Sequence, residues 1–412
     1  MIRNNLKYSI VEGSFFAIMF GLSENYLSAM AVFMGFSALQ ISILNSFPQL
    51  IGAFAQLGTQ SFAKLFKSVK TFVVSLAVVQ SLMWLVLIYI ISITNSYIAI
   101  LLWSVAYYTI ASIIGPAWIS WMGYLVPLRI RSNYHANRNR IIHSIIFISI
   151  LLGGFILKIF NDNMILGFII MFAAGSIGRL LSSYFLAKKN NEDSLDLDKS
   201  YRFSYIVKDK TKTVFIIYNT FIHFSVMFLG PLFTIYILRT MELSYFVLTL
   251  CMVSWWVGNV FSSRMWGRVA KKRGNLYLLK LTTILMCILP ALWISVYYFD
   301  ENGRVLVSLI INLLAGITFS GFGLSSFNIV YEISEKDEVI KFSSLLNCLK
   351  GIGVFIGSLI AGSIVDSSYI IEWLSTYNFT SIQLSMLISI ILRFFSYFIL
   401  GKLNLKNNLA KT

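Results

Sequence analysis

Long apolar runs follow one another along the whole chain and are separated by short polar stretches. A helix that crosses the hydrocarbon core of a bilayer needs about 20 mostly apolar residues, and it satisfies its own backbone hydrogen bonds where water is absent. The pattern therefore predicts about twelve transmembrane helices. They are predicted at 9–33, 40–62, 71–93, 97–125, 141–160, 163–187, 213–238, 244–265, 276–299, 304–331, 342–365 and 379–401.

The composition supports the same interpretation. Hydrophobic residues make up 58% of the 412 residues and charged residues make up 12%, a balance that a water-soluble domain does not need. The first run, 9–33, is too long for the apolar region of a cleaved signal peptide and lacks a small-residue cleavage site, so we expect a retained first span. The predicted class is an all-α integral membrane protein.

The net charge of +16 has a distribution that indicates orientation rather than nucleic-acid binding. If the N-terminus lies inside, the basic residues near outer loops are Lys158, Arg239 and Arg304, out of 33 Lys and Arg residues. This asymmetry is what the positive-inside rule describes, so both termini are predicted on the cytoplasmic side. The basic inner surface favours contact with anionic lipid head groups, and no nucleic-acid partner is expected.

The longest polar stretch divides the chain into two halves. We predict a first six-helix bundle at 1–187, a cytoplasmic linker at 188–212 and a second six-helix bundle at 213–412. An offset of 208 residues matches the halves at several positions, namely Tyr134 with Phe342, Asn139 with Asn347, Gly154 with Gly362, Lys64 with Lys272 and Phe20 with Phe228. A parallel repeat of this kind is common in secondary transporters, and chance matching between apolar helices is the alternative.

Several motifs resemble those of one family. The stretch Pro116–Pro127 contains Trp118 and Trp121, and it is followed by Arg129, Arg131, Tyr134, Arg138, Asn139 and Arg140. Further motifs are Glu12–Gly13, Gly21–Glu24, Gln40–Pro48, Trp266–Arg268, Gly274–Asn275 and Ser325–Asn328. Together they resemble the bacterial transporters of the major facilitator superfamily over nearly the whole chain. The resemblance implies two pseudo-symmetric six-helix bundles, alternating access, a monomer and a small-molecule substrate in a bacterial cytoplasmic membrane.

The chain departs from the family's inner-loop motif of the type G-x3-D-R-x-G-R. Ala63 and Phe66 stand where the first copy should have its acid and its glycine, and Lys271 replaces the acid of the second copy. We therefore expect a different electrostatic latch at the inner gate. Its candidate residues are Lys64, Lys67, Lys70, Arg129 and Arg131 on the basic side and Glu332, Glu335 and Asp337 on the acidic side. The alternative is that both clusters follow topology and lipid charge alone.

Glu24 is the most informative ionisable residue, because it lies within the first apolar run with no basic residue in helical reach. A charged side chain at membrane depth is costly and needs a reason. One interpretation is a cavity-facing acid that binds a proton or a cationic group of the substrate. The other is a buried ion pair with a basic residue of another helix, such as Lys350.

Other polar residues within the apolar runs are candidates for binding substrate or protons. They are Asn25, Tyr108, Trp118, Asn219, His223 and Asn328. Trp118 fits either a cavity lining or an interfacial aromatic belt, and His223 fits either a proton shuttle or a bond to a neighbouring helix. Arg179, Lys350 and Arg393 are expected to be structural and to extend toward the inner surface.

The sequence shows no nucleotide-binding loop, no metal-ligand spacing and no clustered catalytic set, so we expect no cofactor, no metal and no enzymatic activity. The leading hypothesis is a secondary active transporter, with protons as a candidate coupling ion. A receptor or assembly protein that keeps the fold without transporting is the alternative from another class.

Overall fold

The computed structural model describes residues 2–190, 209–334 and 339–403, and within those ranges it contains helices and turns but no strand. The helices of the first half are α1 (Ile2–Leu22), α2 (Leu27–Phe33), α3 (Ala38–Leu57), α4 (Thr59–Ala63), α5 (Val69–Ile93), α6 (Tyr97–Leu125), α7 (Leu128–Ile159) and α8 (Met164–Ala187). Those of the second half are α9 (Lys210–Val226), α10 (Tyr245–Arg273), α11 (Asn275–Val296), α12 (Glu301–Ile333), α13 (Val339–Asp366), α14 (Ser368–Ser375) and α15 (Ser381–Gly401).

Eleven helical segments of the described residues are long and apolar enough to cross a membrane. The all-helical fold predicted from the apolar runs is confirmed. The remaining predicted span, 213–238, is not one continuous helix. It consists of α9, a turn at 227–232, a single helical turn at Phe233–Ile235 and a π-helical turn at Tyr236–Thr240.

The interruption of the 213–238 span follows from its local sequence. Pro231 has no backbone N–H and its ring disfavours a continuing helix, and Gly230 before it has the weakest helix preference of the ordinary residues. The chain closes the turn with backbone bonds from Leu229 and Gly230 to the carbonyl of Val226, each 3.2 Å long. A count of spans based on the length of apolar runs does not detect this break, because the sequence remains apolar through it.

Side-chain caps determine where many helices begin. Ser68, Ser96 and Ser244 each accept a bond from a backbone N–H three residues later. Asp300 caps α12 in the same way, and Thr380 with Gln383 forms a complete capping box on α15. Such caps satisfy amide groups that a helix leaves unpaired in its first turn, and they explain why short polar links separate these apolar helices.

The described contacts divide the chain into two compact units. The first unit contains Met1–Phe36 and Phe47–Lys199, and the second contains Ser37–Ser46 and Ser200–Thr412. The start of α3 belongs to the second unit because the carboxylate of Asp366 accepts bonds from the backbone N–H groups of Ala38 at 3.0 Å and Leu39 at 2.7 Å.

Each unit has its own hydrophobic core. In the first unit, buried residues of α5 and α6 such as Phe72 and Trp121 form a continuous cluster. In the second, Phe215 of α9 packs with Phe342 of α13 and with residues of α11, α12 and α15. Large exposed apolar side chains occur on helices of both units, which fits an outer surface in contact with lipid.

Candidate functional site

The first span is interrupted in its middle. α1 ends at Leu22, a single 3₁₀ turn covers Glu24–Tyr26, and α2 begins at Leu27. Three side chains hold this turn. Asn25 donates to the carbonyl of Phe20 at 2.8 Å, Ser23 donates to a carbonyl of α8 at 3.3 Å, and Tyr26 donates to a carbonyl of α7 at 2.6 Å. Ser and Asn side chains that bond to the backbone compete with helix formation, so the polar sequence Ser23–Tyr26 favours this break.

Glycines on neighbouring helices make room for the turn. A Cβ atom added at Gly153 of α7 would lie 2.5 Å from the ring of Tyr26, and one added at Gly175 of α8 would lie 1.9 Å from the Oγ atom of Ser23. Small residues at these positions therefore allow close approach of the three helices. The local sequence and its packing partners together fix the place of the break.

Glu24 lies on this turn and is half-buried. Its Oε1 atom accepts a hydrogen bond from the hydroxyl of Tyr107 at 2.5 Å. Among the described residues of its own unit, no Lys or Arg forms an ion pair with it. The carboxylate therefore has a neutral donor as its partner, and it keeps the capacity to bind a proton or a cation.

Tyr107 is fixed by aromatic packing. The ring centroid of Trp84 is 5.0 Å away and that of Trp103 is 5.1 Å away. Tyr107 is completely buried, whereas the adjacent candidate Tyr108 is half-buried and packs edge-on against it at 5.4 Å. The aromatic cluster directs the Tyr107 hydroxyl toward Glu24, a role that the sequence pattern did not reveal.

Arg179 is a buried basic residue of the same unit. Its Nε atom donates to Gln80 at 2.7 Å and its Nη1 atom to Ser182 at 3.2 Å, and its guanidinium stacks over Phe16 at 5.1 Å. The prediction that Arg179 extends toward the inner surface is wrong, because the side chain is buried within the unit and finds neutral polar partners there.

A second polar cluster surrounds Glu12 of α1. Its Oε1 atom pairs with Arg138 at 3.1 Å and with Lys189 at 3.0 Å, and it accepts a bond from Nε1 of Trp118 at 3.2 Å. The indole ring of Trp118 also lies 4.5 Å from the guanidinium of Arg138. Trp118 therefore contacts a buried ion-pair network, which neither of the two interpretations of this residue included.

Lys189 connects this cluster to the start of the predicted linker. Its side chain is fully buried, and its carbonyl accepts a bond from Lys70 at 2.6 Å. The next residue, Asn190, accepts from Nε1 of Trp121 at 3.2 Å and donates to Asn5 at 3.0 Å. Burial lowers the pKa of the Lys189 ammonium, and the Glu12 carboxylate opposes that change. The sequence analysis did not single out Lys189, because a lysine that follows a predicted span is expected to be exposed.

In the second unit, Asn219 and His223 lie one turn apart on α9, as the sequence predicts. The Asn219 side chain donates to the carbonyl of Phe215 at 3.1 Å, and Nδ1 of His223 bonds to the carbonyl of Asn219 at 2.8 Å. The imidazole ring of His223 also packs against the ring of Phe322, with centroids 5.6 Å apart. The bond of His223 therefore stays within its own helix.

Asn328 of α12 belongs to a different polar group. It donates to Asn275 at 3.0 Å, and Asn275 donates to Glu332.

Arg393 of α15 is also placed differently from the prediction that it extends toward the inner surface. It is 2% exposed and donates to the carbonyl of Met286 at 2.6 Å.

The inner-gate candidates are described in part. Lys64 and Lys67 are exposed, and Lys70 is bonded to Lys189 as given above. Glu332 accepts from Asn275. Glu335 and Asp337 lie outside the described residues, as do the side chains of Arg129 and Arg131. The latch stays a prediction.

Groups of three or more His, Cys, Asp or Glu side chains suited to a metal ion are not found among the described residues. The cysteines Cys251, Cys287 and Cys348 are free. The described part of the first unit thus holds two glutamate carboxylates of different kinds: Glu24 is half-buried at a helix break with a tyrosine hydroxyl as its donor, and Glu12 is buried with cationic partners.

Several solved structures share this arrangement of helices. A variant of the nucleoside transporter NupG matches with a TM-score of 0.75 at 13% identity, over 97% of this chain and 100% of that chain. A D-xylose–proton symporter matches with a TM-score of 0.75 at 13% identity, over 98% of both chains. A bacterial homologue of the iron transporter ferroportin, in an inward-facing state, matches with 0.73 at 14% identity over 98% of both chains.

These likenesses establish the fold. The chain shares the fold of these solved structures, and the fold expected from the sequence resemblance is confirmed. No protein-family model matches the sequence, and no curated protein matches it significantly. At sequence identities of 13–14%, the solved structures show the fold of this chain and do not identify its substrate.

Proposed function

We propose that this protein is a secondary active transporter that moves a small solute by alternating access and couples this movement to protons through Glu24. The observation that carries the proposal is the half-buried carboxylate at the break of the first span, which has a tyrosine hydroxyl as its partner. Interrupted spans are a common way to build a solute site at the middle of the membrane. A carboxylate without a cationic partner in its unit is suited to reversible protonation.

The fold supports the same class. The solved structures cited above are named as a nucleoside transporter, a bacterial homologue of the iron transporter ferroportin and a D-xylose–proton symporter. We propose that this chain is also a transporter, and we do not propose that it moves any of those particular solutes. The proposal includes a monomer in a bacterial cytoplasmic membrane with both termini inside, in contact with anionic lipid. It also includes the bundle boundaries 1–187, 188–212 and 213–412.

The test is proton movement in vesicles that contain the purified full-length protein and a trapped pH-sensitive dye. Nicotinate, D-xylose and choline are added outside one at a time, so that an organic anion, a neutral sugar and an organic cation are compared. We expect at least one of them to move protons saturably. Glu24→Gln keeps the shape of the side chain, and we expect it to slow this movement at least tenfold.

Glu372→Gln is the matched control, because Glu372 is an exposed acid on the short helix α14. It should leave the proton movement unchanged. A Glu24→Gln protein that folds and transports with unchanged rate and pH dependence contradicts the proposed role of Glu24. Complete absence of saturable solute movement across a wider panel favours the receptor or assembly protein instead.

A further inference from the structure

Several basic side chains lie inside the apolar helices, and their partners differ. Arg179 bonds to Gln80 and Ser182 in the first unit. Arg393 bonds to a backbone carbonyl and is almost completely buried. Lys350 of α13 is half-buried, and among the described residues of its unit it has neither a hydrogen bond nor an ion pair. Of these three basic residues, Lys350 is therefore the one that is partly accessible and has no described partner in its unit.

Lys350 lies deep along its helix. It follows Val339, the first residue of α13, by eleven positions, which corresponds to about 16 Å along the axis. Lys280 of α11 is also half-buried, but it follows Asn275 by five positions, or about 7 Å. A lysine near a helix end reaches the membrane surface with its flexible side chain, whereas the depth of Lys350 makes that harder.

Among the described residues of its unit, no Asp or Glu forms an ion pair with Lys350. α13 packs tightly against α9, since a Cβ atom added at Gly353 would lie 2.5 Å from the carbonyl oxygen of Thr220, and one at Gly357 would lie 2.3 Å from that of Phe224. This contact places α13, beginning one turn after Lys350, beside the part of α9 that contains His223. A histidine is neutral or positive, so the titratable neighbour on α9 cannot balance the ammonium.

An ammonium group held at membrane depth without a counter-charge is unfavourable, and a ligand that brings an anion relieves this cost. We propose that Lys350 binds the anionic group of the transported solute, a carboxylate or a phosphate. The inference rests on the proposed transport function and adds a substrate class to it. Lys350 is then a specificity-determining residue, which the sequence pattern had assigned to a structural role.

The test compares anions with their neutral counterparts by thermal unfolding of the purified full-length protein. The probes are benzoate with benzamide, nicotinate with nicotinamide and uridine monophosphate with uridine. Ligands that bind the folded state raise its unfolding temperature with concentration. We expect at least one anion to bind more tightly than its neutral counterpart, and Lys350→Gln to weaken that anion at least tenfold without weakening the neutral compound.

Two further variants separate charge from packing. Lys350→Arg keeps the charge and should keep the preference for the anion, and Lys280→Gln removes a shallower lysine and should not change it. The inference is overturned if no anion is preferred or if Lys350→Gln keeps the preference. It is also overturned if Glu24→Gln and Lys350→Gln each destabilise the protein and their combination restores stability, because Glu24 is then the counter-charge.

The outcomes also distinguish this inference from the proposed function. A protein that moves solute with protons but shows no dependence on Lys350 contradicts the inference alone. A protein that binds anions through Lys350 but moves no solute, with Glu24→Gln inert, contradicts the transport function alone.

Discussion

Glu12 and Glu24 are two glutamates of the same span with opposite environments. Glu12 pairs with Arg138 and Lys189 and accepts a bond from Trp118, so its charge is compensated within the unit. Glu24 has a tyrosine hydroxyl and no ion pair there. Removing one partner from a buried ion pair is strongly destabilising, about 3–5 kcal/mol. We therefore expect a structural role for Glu12, whereas the functional role of Glu24 stays a proposal.

The bond between Tyr107 and Glu24 leads to a prediction about stability. Tyr107→Phe keeps the packed ring and removes the hydroxyl, so the carboxylate loses its donor. A bond of this kind to a charged group contributes about 1.5–3 kcal/mol, and we expect the free energy of unfolding in detergent to fall by that amount. Denaturant titration of the purified protein measures it. Tyr108→Phe is the control and should cost less than about 0.5 kcal/mol. Equal losses for both variants would contradict this role of Tyr107.

The residues of the site differ in how well the sequence predicts them. Glu24 stands out because a charge within an apolar run is visible in the sequence itself. Its partner Tyr107 lies 83 positions away, and Lys189 lies 177 positions from Glu12. Such partners depend on which faces of the helices meet, and neither local composition nor periodicity fixes that. The sequence therefore indicates single candidate residues, and the structure shows which residues they contact.

At the scale of helices, both halves have an interrupted span at related positions. The turn at 23–26 maps by the 208-residue offset onto 231–234, which overlaps the end of the turn at 227–232. The first break comes from polar side chains and the second from Gly230 and Pro231. The sequence repeat predicted equivalent spans but not their breaks, because apolar length continues through both. Different residues thus produce the same discontinuity in the two units.

The break in the first span requires space beside it, which gives a second prediction. Gly153→Ala places a methyl group against the Tyr26 ring, whose hydroxyl is already bonded to the carbonyl of Ile150. Overpacking of this kind costs about 1–3 kcal/mol, and we expect a lower unfolding temperature and slower transport. Gly323→Ala is the control, because a Cβ atom there meets nothing within 4 Å. It should be neutral or stabilise the protein by up to about 1 kcal/mol.

A thermal unfolding series of the two alanine variants decides this point. If Gly153→Ala is as stable as Gly323→Ala, the packing around Tyr26 yields easily and does not fix the turn. If Gly153→Ala is less stable, the double variant Gly153→Ala/Tyr26→Phe is compared with the two single variants. A total loss of stability smaller than the sum of the two single losses means that the two residues act through the same contact.

At the scale of the whole molecule, the sequence predicted the fold because apolar length and charge asymmetry are properties of the entire chain. The bilayer requires about 20 apolar residues for each crossing, and this requirement leaves a repeated signal that needs no knowledge of contacts. The number of continuous spans was harder to predict, since the 213–238 run contains a break. Sidedness remains a prediction from the positive-inside rule.

Lys188 and Lys189 allow sidedness and the burial of the linker start to be tested together. The two residues are adjacent, yet Lys188 is exposed beside the ring of Tyr184 and Lys189 is buried against Glu12. A membrane-impermeant acetylating reagent should therefore modify Lys188 in inside-out vesicles and leave Lys189 at least tenfold less modified. In intact cells neither should react. Mass spectrometry of the peptides gives both extents.

Glu12→Gln supplies the decisive comparison for this prediction. Without the carboxylate, Lys189 and Arg138 remain side by side without a counter-charge, and their repulsion favours release of the linker start into water. We expect Lys189 to become nearly as reactive as Lys188, while Glu372→Gln changes neither. Labelling of Lys188 in intact cells contradicts the predicted orientation. Protection of Lys189 that survives Glu12→Gln means that the bonds of Asn190 to Trp121 and Asn5, rather than the ion pair, hold the linker start in place.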